Sequence, residues 1–277
     1  MGPLRFYWGI NSQTHGWEGL TTNQESIMKF TEKDKSILIG LSIGDGWVGM
    51  DNNSAVIRIN HSEKQKEYCI FKAKLLHSVF GGNTIKVHEG LCKYHSYVNG
   101  EKITKVIPRV YVQKKSTSCK WLRDLLYPNG KKKITREILD YLTPQEIAIW
   151  WLDDGNIDFH KSGNGYPCVK LQWSTFCSEE EAKTIHDYFK EVWNVEWNYK
   201  VYDKRSPGMF SMSCAKTEGE KFLSIFRDFV RDKVPSMAYK VVDLDHEIRA
   251  RLKGTRWDSL NLQDDKLQEQ EDKEPLG

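Results

Sequence analysis

Residues Ser36 to Gly46 read Ser-Ile-Leu-Ile-Gly-Leu-Ser-Ile-Gly-Asp-Gly, an apolar helical pattern that ends abruptly in a carboxylate and a glycine. Residues Thr143 to Gly155 read Thr-Pro-Gln-Glu-Ile-Ala-Ile-Trp-Trp-Leu-Asp-Asp-Gly and end in the same way. A carboxylate is among the groups least often buried, so a buried helix that ends in one is unusual as a device for stability alone. Similar elements follow each stretch, and the sequence therefore indicates two related halves.

The composition is that of a folded protein with a basic body. The 277 residues are 39% hydrophobic and 12% aromatic, enough for one large domain or two medium ones. The net charge of +3 combines a net −5 over residues 258–277 with +8 over residues 1–257. A basic body with an acidic tail suits a polyanionic partner. On charge alone, an ordinary solvated surface is an equally good interpretation.

The sequence pattern also bears on location. No apolar run reaches the ~18 residues of a membrane-spanning helix, and the first residues lack a signal-peptide pattern. Six cysteines lie at wide, irregular spacings without a Cys-x-x-Cys pair, which is typical of reduced thiols. We therefore expect an intracellular protein of a reducing compartment (cytoplasm, nucleoid or organelle matrix), neither secreted nor bound to a membrane.

Both halves follow the order helix, Asp-Gly, strand, strand, helix, strand, strand, helix. Capping-box patterns predict helix starts at Thr31–Asp34, Ser62–Gln65, Thr143–Glu146, Ser178–Glu181 and Thr217–Glu220. Alternation predicts strands that include 56–61, 84–88, 94–98, 107–113, 168–175, 195–202 and 209–214, with a hairpin turn at Asn99-Gly100 and a final helix over 238–252. The expected organisation is an N-terminal arm (1–30), a first half (31–127), a basic turn and linker (128–142), a second half (143–257) and an acidic, disordered tail (258–277).

The two apolar helices have a chemical implication. Gly40 and Gly44 share one helix face, where small residues let another helix come close. If the two helices pack side by side, Asp45 and Asp154 meet at one end, and two carboxylates with nearby carbonyls suit a hard divalent cation such as Mg²⁺. A single Asp-Gly after a helix is more often a stop and turn. Two of them, each followed by a basic-faced strand and a capped helix, favour a site.

The stretches Leu38-Ile-Gly-Leu-Ser-Ile-Gly-Asp-Gly46 and Ile147-Ala-Ile-Trp-Trp-Leu-Asp-Asp-Gly155 resemble the paired motifs of single-chain, two-motif LAGLIDADG homing endonucleases. The resemblance covers about residues 33–242. It implies an α+β fold of two pseudo-symmetric αββαββα halves, with saddle-shaped antiparallel sheets and two central packed motif helices. The second motif departs from the family pattern, because Ile149 replaces a glycine beside bulky Trp150 and Trp151. The usual proline of the first basic turn is Thr135 here.

The resemblance also implies the site residues. The penultimate acid of each motif, Asp45 and Asp154, would be a catalytic metal ligand, and the backbone carbonyls of Gly44 and Asp153 would reach the metal. The side chain of Asp153 should point elsewhere, since consecutive helical side chains diverge by ~100°. Two or three Mg²⁺ ions at the interface of the two helices would polarise the phosphate and generate hydroxide for in-line attack.

Family members also place a lysine near the site in each half. The matching segments are Gly130-Lys-Lys-Lys-Ile-Thr135 and Pro235-Ser-Met-Ala-Tyr-Lys240, and we assign Lys132, with Lys133 as the neighbouring alternative, and Lys240. These lysines would organise solvent and stabilise developing charge. Taken alone, the lysine run at 131–133 is better explained as a solvated turn.

The polar strand faces are the expected DNA-reading surface. Side chains suited to base edges are Arg58, Asn60, Arg109, Gln113, Lys170, Gln172, Ser211 and Ser213. Side chains suited to phosphates are Lys64, Lys66, Lys114, Lys115, Lys200, Lys204 and Arg205. Without the resemblance, a polar strand face would simply be the solvent-facing side of a sheet.

The resulting hypothesis is a monomer that makes a staggered double-strand break at a long, asymmetric duplex DNA site. The alternative is an RNA maturase that assists splicing of a group I intron, with the host intron RNA as partner. A third class is a DNA-binding regulator without catalysis. The presence of both Asp45 and Asp154 favours the endonuclease. We do not expect an intein, because no Cys or Ser follows Met1 and no His-Asn ends the chain.

Overall fold

The computed structural model describes residues 29–82, 84–98, 101–202 and 208–255. The first half contains α1 (Glu32–Ile43), β1 (Gly46–Asp51), β2 (Ser54–Ser62), α2 (Lys66–Phe80), β3 (His88–Val98), β4 (Glu101–Ser116) and α3 (Lys120–Leu126). A short helix, α4 (Arg136–Leu139), lies in the linker. Within the described residues, no helix is long and apolar enough to cross a membrane.

The second half repeats the order of the first. It contains α5 (Pro144–Asp154), β5 (Gly155–Lys161), β6 (Pro167–Cys177), α6 (Glu179–Trp193), β7 (Asn198–Val201), β8 (Phe210–Ala215), α7 (Lys216–Ser224), α8 (Arg227–Lys233) and α9 (Leu244–Leu252). Each half forms an antiparallel four-stranded sheet, in the orders β1-β2-β4-β3 and β5-β6-β8-β7. The predicted fold of two pseudo-symmetric halves is confirmed.

Apolar and polar residues alternate along the strands, and this alternation determines which face of each sheet packs against the helices. In β2, Ala55, Ile57 and Ile59 are fully buried, whereas Arg58 is exposed. In β6 the same alternation buries Val169, Leu171 and Trp173. One face of each sheet therefore packs on the helices, and the polar side chains between the buried residues line the other face.

Several predicted boundaries are wrong. The strands predicted at 84–88 and 94–98 are one strand, β3, and residues 84–87 precede it without regular structure. The predicted strand over 195–202 is shortened to β7. The final helix predicted over 238–252 is a 3-10 turn, Pro235–Lys240, followed by α9. The predicted turn at Asn99-Gly100, the arm up to residue 28 and the acidic tail lie outside the described residues.

Three of the five predicted capping boxes form, those at Thr31, Thr143 and Ser178. Ser62 makes no capping hydrogen bond, because a 3-10 turn (Glu63–Gln65) precedes α2. Thr217 is not a cap either, because α7 already begins at Lys216. The carboxylate of Glu220 instead accepts from the backbone N–H of Leu244 and pairs with Arg227.

Helices α1 and α5 pack against each other with no room for side chains at the two glycines of α1. A methyl group on Gly40 would lie 2.4 Å from Cγ of Glu146, and one on Gly44 would lie 2.5 Å from Oδ2 of Asp153. The hydroxyl of Ser36 donates to the carbonyl of Tyr141 at 2.6 Å at the other end of the contact. The predicted close approach is confirmed, and acidic side chains of α5 fill the space above the glycines.

The bulky aromatic residues of the second motif do not obstruct this contact. Trp150 and Trp151 both pack near Trp173, with ring centroids 4.3 and 6.0 Å from it. Trp197 and Phe222 complete a buried aromatic cluster in the same half. Since both tryptophans belong to the core of their own half, α5 presents its small and acidic residues to α1.

Gly40→Ala should destabilise the protein. The added methyl would improve helix propensity by ~1 kcal/mol, but overpacking against buried Glu146 typically costs ~1–3 kcal/mol. We expect a net loss in the free energy of unfolding, measured by urea denaturation. The control is Gly163→Ala, whose methyl group would meet no atom within 4 Å. Equal stability of the two variants would contradict the tight α1–α5 contact.

Candidate active site

Three carboxylates gather where α1 and α5 end. Asp45 follows α1, and Asp153 and Asp154 are the last two residues of α5. Crowding by the surrounding protein and the negative charge of Asp153 raise the pKa of Asp45 to about 6, although 42% of its side chain is exposed. Burial and the charges of Asp45 and Asp153 raise the pKa of Asp154 well above its ordinary value. Asp154 also accepts a hydrogen bond of 3.2 Å from Nε1 of Trp150.

The side chain of Asp153 does not point away from this centre, and that expectation is wrong. Its Oδ2 accepts from the backbone N–H of Asp45 at 2.9 Å, and its Oδ1 accepts from Nζ of Lys72 at 2.6 Å and from the hydroxyl of Tyr68 at 2.9 Å. Burial works to raise the pKa of Asp153, but the charge of Lys72 and these hydrogen bonds outweigh it and lower the pKa. Because Gly44 has no side chain, it leaves the space into which Asp153 turns.

His61 also belongs to the site, and sequence analysis missed it. Its Nδ1 lies 3.6 Å from Oδ2 of Asp45, and neither ring nitrogen has a hydrogen-bond partner among the described residues. Burial and the charge of Lys72 lower the pKa of His61 to about 3, so the ring is neutral and able to act as a ligand. The alternation of β2 gave a signal, since it places His61 on the apolar face with Ile57 and Ile59.

Lys132 and Lys240 each bind the carboxyl end of a motif helix. Nζ of Lys132 donates to the carbonyls of Ser42, Ile43, Gly44 and Gly46 at 2.8–3.2 Å. Nζ of Lys240 donates to the carbonyls of Leu152 and Asp153 at 2.7 and 3.5 Å. Apart from that of Gly46, which begins β1, these carbonyls lie at the end of a motif helix, which leaves them unpaired and at its negative dipole end, so a cation is favourable there.

The geometry distinguishes between the two neighbouring lysines of the first half. Burial lowers the pKa of Lys132 to about 8, against the opposing effect of the three carboxylates. Burial likewise lowers the pKa of Lys240. Lys133 instead points outward and lies 3.5 Å from Glu180. Of the run at 131–133, Lys132 is therefore the residue at the centre.

The donor set fits divalent cations. Ligand atoms of Asp45, His61 and Asp153 all lie within 4.8 Å of one another. Both oxygens of Asp153 already accept hydrogen bonds. Asp45 is partly exposed, and His61 is buried with no hydrogen-bond partner in the part of the chain that the structure describes. Carboxylates and carbonyls are the ligands of Mg²⁺ and Mn²⁺, and an imidazole suits first-row transition ions as well.

Four of the side chains predicted to contact base edges lie next to one another on the outward face of the first sheet. The guanidinium of Arg58 donates to Oε1 of Gln113 at 3.2 Å, and that of Arg109 donates to Oδ1 of Asn60 at 3.4 Å. Trp47 stands next to Arg58, with the guanidinium carbon 5.9 Å from the ring centroid. A polar surface with aromatic character therefore begins two residues after Asp45.

In the second sheet, Lys170 and Gln172 share the outward face of β6. Gln172 donates to Asp158 at 3.4 Å and lies opposite Ser213 in the register of β6 and β8. Asp158, an acid on this face, was not singled out from the sequence. Acceptors of this kind suit the amino group of cytosine.

Three of the predicted phosphate-binding residues need comment. Lys114 lies opposite buried Ile57, and its Nζ sits 5.1 Å from the ring centroid of Phe80. It is therefore on the helix-covered face, and its grouping with the DNA-facing residues is wrong, because an even-numbered residue of β4 alternates away from Arg109 and Gln113. Lys204 and Arg205 lie outside the described residues.

Comparison with known families bears on the two motifs. A family model described as the LAGLIDADG DNA endonuclease family matches residues 35–222. The chain belongs to this family. The family assignment agrees with the predicted resemblance and enzyme class, and the matched segment contains most of α1, all of α5 and both sheets.

Curated relatives and a solved structure are similar to this chain. The chain is 24% identical over 231 residues to protein RecA of Mycobacterium gastri, which covers 78% of this chain and 48% of that protein. It thus spans about half the length of such curated relatives. DNA endonuclease I-ChuI of Chlamydomonas applanata is 24% identical over 172 residues, 58% of this chain and 76% of that protein. The structure of homing endonuclease I-WcaI bound to its DNA recognition sequence superimposes with a TM-score of 0.57 at 17% identity, over 78% of this chain and 88% of that chain.

None of these three names describes an RNA maturase, so that alternative gains no support. The expectations of a monomer, of a reducing intracellular compartment and of a chain that is not an intein stay predictions. All six cysteines are free, which is compatible with reduced thiols.

Lys132→Met should destabilise the protein by about 3 kcal/mol, because it leaves the carbonyls at the end of α1 without the buried cation to which they are bound. The measurement is the free energy of unfolding from urea denaturation. Lys133→Met, which removes only a surface ion pair, should change stability by less than ~1 kcal/mol. A larger loss for Lys133→Met than for Lys132→Met would contradict the assignment of Lys132 to the centre.

Proposed function

We propose that this protein is a site-specific homing endonuclease that hydrolyses both strands of a long, asymmetric duplex DNA site and leaves staggered ends. The observation that carries the proposal is the meeting of Asp45 and Asp154 where α1 and α5 end, with Lys132 and Lys240 bound to the same two helix ends. The family membership and the two polar sheet faces support the same activity.

The cation sites follow from the donor set. The carboxylates of Asp45 and Asp154 would hold divalent cations, with the carbonyls of Gly44 and Asp153 as further ligands and His61 as an additional one beside Asp45. When bound, Mg²⁺ or a similar ion supplies Lewis-acid polarisation of the phosphate and lowers the pKa of water. With two or three such ions, each motif aspartate would serve the cleavage of one DNA strand.

The chain's own residues have distinct roles in this reaction. Asp45 and Asp154 fix the position at which each phosphate is attacked. Lys132 and Lys240 hold the carboxyl ends of α1 and α5 in place, and their positive charge lies next to the acids, where negative charge develops on phosphate oxygens. Since both motif helices are supplied by one chain, we infer that the protein acts as a monomer.

The two sheets would each follow one side of the DNA target. On the first sheet Arg58, Asn60, Arg109 and Gln113 form mutual hydrogen bonds that present donors and acceptors in a fixed arrangement. On the second sheet the corresponding surface carries Lys170, Gln172 and Asp158. Because the two surfaces differ in their side chains, the target should be non-palindromic.

Asp45→Asn or Asp154→Asn should abolish cleavage while DNA affinity changes little, because the sheets, not the acids, contact the bases. A target recovered from a randomised duplex library provides the substrate, and binding is measured with Ca²⁺ in place of Mg²⁺. Asp140→Asn, an exposed acid of the linker, is the matched control and should cleave like the wild type. Loss of binding together with cleavage would instead assign the two acids a structural role.

DNA affinity should fall steeply with added salt, as phosphate contacts release counterions. Lys115→Ala should reduce the slope of log affinity against log salt by about 1, because Lys115 is on the outward face of β4. Its neighbour Lys114 points to the helices, so Lys114→Ala should leave the slope unchanged. An affinity independent of salt, or equal effects of the two substitutions, would contradict the proposed DNA-binding face.

A further inference from the structure

We propose that Lys72 and Asp153 form a buried positioning pair for this active centre, in which Lys72 neutralises Asp153 and Asp153 holds the backbone of Asp45. The inference rests on the proposed function, and it assigns Asp153 a role other than that of a side-chain metal ligand. Lys72 lies on α2 of the first half, and Asp153 ends α5 of the second half. The pair therefore joins the two halves at the point where the chemistry takes place.

The pair is fully buried and well bonded. The side chains of Lys72 and Asp153 are both 0% exposed, and their charged atoms are 2.6 Å apart. The hydroxyl of Tyr68 lies between the carbonyl of Ile149 and Oδ1 of Asp153, at 3.0 and 2.9 Å, and Nζ of Lys72 lies 4.5 Å from the ring centroid of Tyr68. The loss of one partner of such an ion pair is strongly destabilising, because the other charge stays buried without compensation. Replacement of both partners by uncharged residues is tolerated better.

A hydrogen bond to the backbone of Asp45 connects the pair to a catalytic residue. Oδ2 of Asp153 accepts from the backbone N–H of Asp45, the residue directly after the C-terminal glycine of α1. This hydrogen bond fixes the turn from which the Asp45 carboxylate projects toward His61. Lys72 and Tyr68 hold Asp153 in the orientation that makes the bond. The chain of contacts thus runs from α2 through Asp153 to the backbone of a catalytic residue.

The pseudo-symmetry of the fold provides an internal comparison. Helices α2 and α6 both contain fifteen residues, and the seventh is Lys72 in one and Ile185 in the other. The motif position of Asp153 is occupied in the first half by Gly44. Ile185 is buried and uncharged, and Gly44 has no side chain. The lysine comes from one half and the aspartate from the other, so the two charges are paired only when the two halves pack together.

Two double variants separate positioning from packing. Lys72→Met/Asp153→Asn removes both charges but keeps an acceptor oxygen for the N–H of Asp45. Lys72→Met/Asp153→Ala removes the charges and the acceptor. Three quantities are measured: the thermal midpoint, the hydrogen exchange of the peptide that contains Asp45, and the single-turnover cleavage rate at saturating Mg²⁺ on the recovered target. Ile185→Met is the matched control in the other half.

We expect both double variants to fold with similar midpoints, both above that of Lys72→Met alone, which leaves a buried carboxylate unpaired. The alanine variant should cleave about tenfold more slowly than the asparagine variant, since small displacements at a reacting centre have large effects on rate. Its Asp45 amide should also exchange faster. Ile185→Met should retain the wild-type rate.

Equal cleavage rates and equal Asp45 exchange in the two double variants would overturn the inference. It would also fail if the asparagine variant lost cleavage as fully as the alanine variant and needed much more Mg²⁺, because Asp153 would then be a direct ligand. If the alanine variant did not fold, Tyr68→Phe, which removes one donor to Asp153, must slow cleavage and speed the exchange of the Asp45 amide. Failure of the wild type to cleave any DNA would instead refute the proposed function.

Discussion

The contact between α1 and α5 at Gly40 and Gly44 is the constraint on which the rest of the structure depends. A side chain at either glycine would overlap Glu146 or Asp153, so only glycine lets the helices approach this closely. The contact joins the two halves and brings the carboxyl ends of both helices to one place. It also sets the relative positions of the two sheets, because each sheet begins directly after its own motif helix.

Negative charge is concentrated where the two helix ends meet, and nearby lysines balance it. Three carboxylates and the carbonyls of both helices meet there, opposed by Lys72, Lys132 and Lys240. Lys132 and Lys240 bind the carbonyls, whereas Lys72 neutralises Asp153. Burial and the neighbouring carboxylates raise the pKa values of Asp45 and Asp154, although the lysine charges act to lower them. Clustered carboxylates with raised pKa values are typical of functional sites.

The sequence predicted those features that depend on local pattern. The glycine spacing of α1, the helix caps at Thr31, Thr143 and Ser178, and the alternation that turns Arg58 and Asn60 outward all follow from periodicity and capping rules. Contacts between distant segments did not follow from these rules. Lys72 looks like an ordinary helix residue until α5 supplies Asp153, and His61 looks like an ordinary strand residue until the end of α1 brings Asp45 beside it. Lys114 turns inward because β4 continues beyond the predicted residues 107–113, and the alternation of faces continues with it. The orientation of Trp150 and Trp151 likewise depended on the aromatic cluster of the second half.

The most direct test of a DNA-cleaving centre at the two helix ends is a cleavage selection on a large randomised duplex library with Mg²⁺, followed by sequencing of the cut ends. Wild type and the Asp45→Asn/Asp154→Asn double variant are run side by side. A two-helix catalytic centre predicts that wild type alone enriches one long, asymmetric site with staggered ends. If neither protein cuts, or if both cut equally, the two aspartates are not the catalytic residues and the endonuclease interpretation of this centre is wrong.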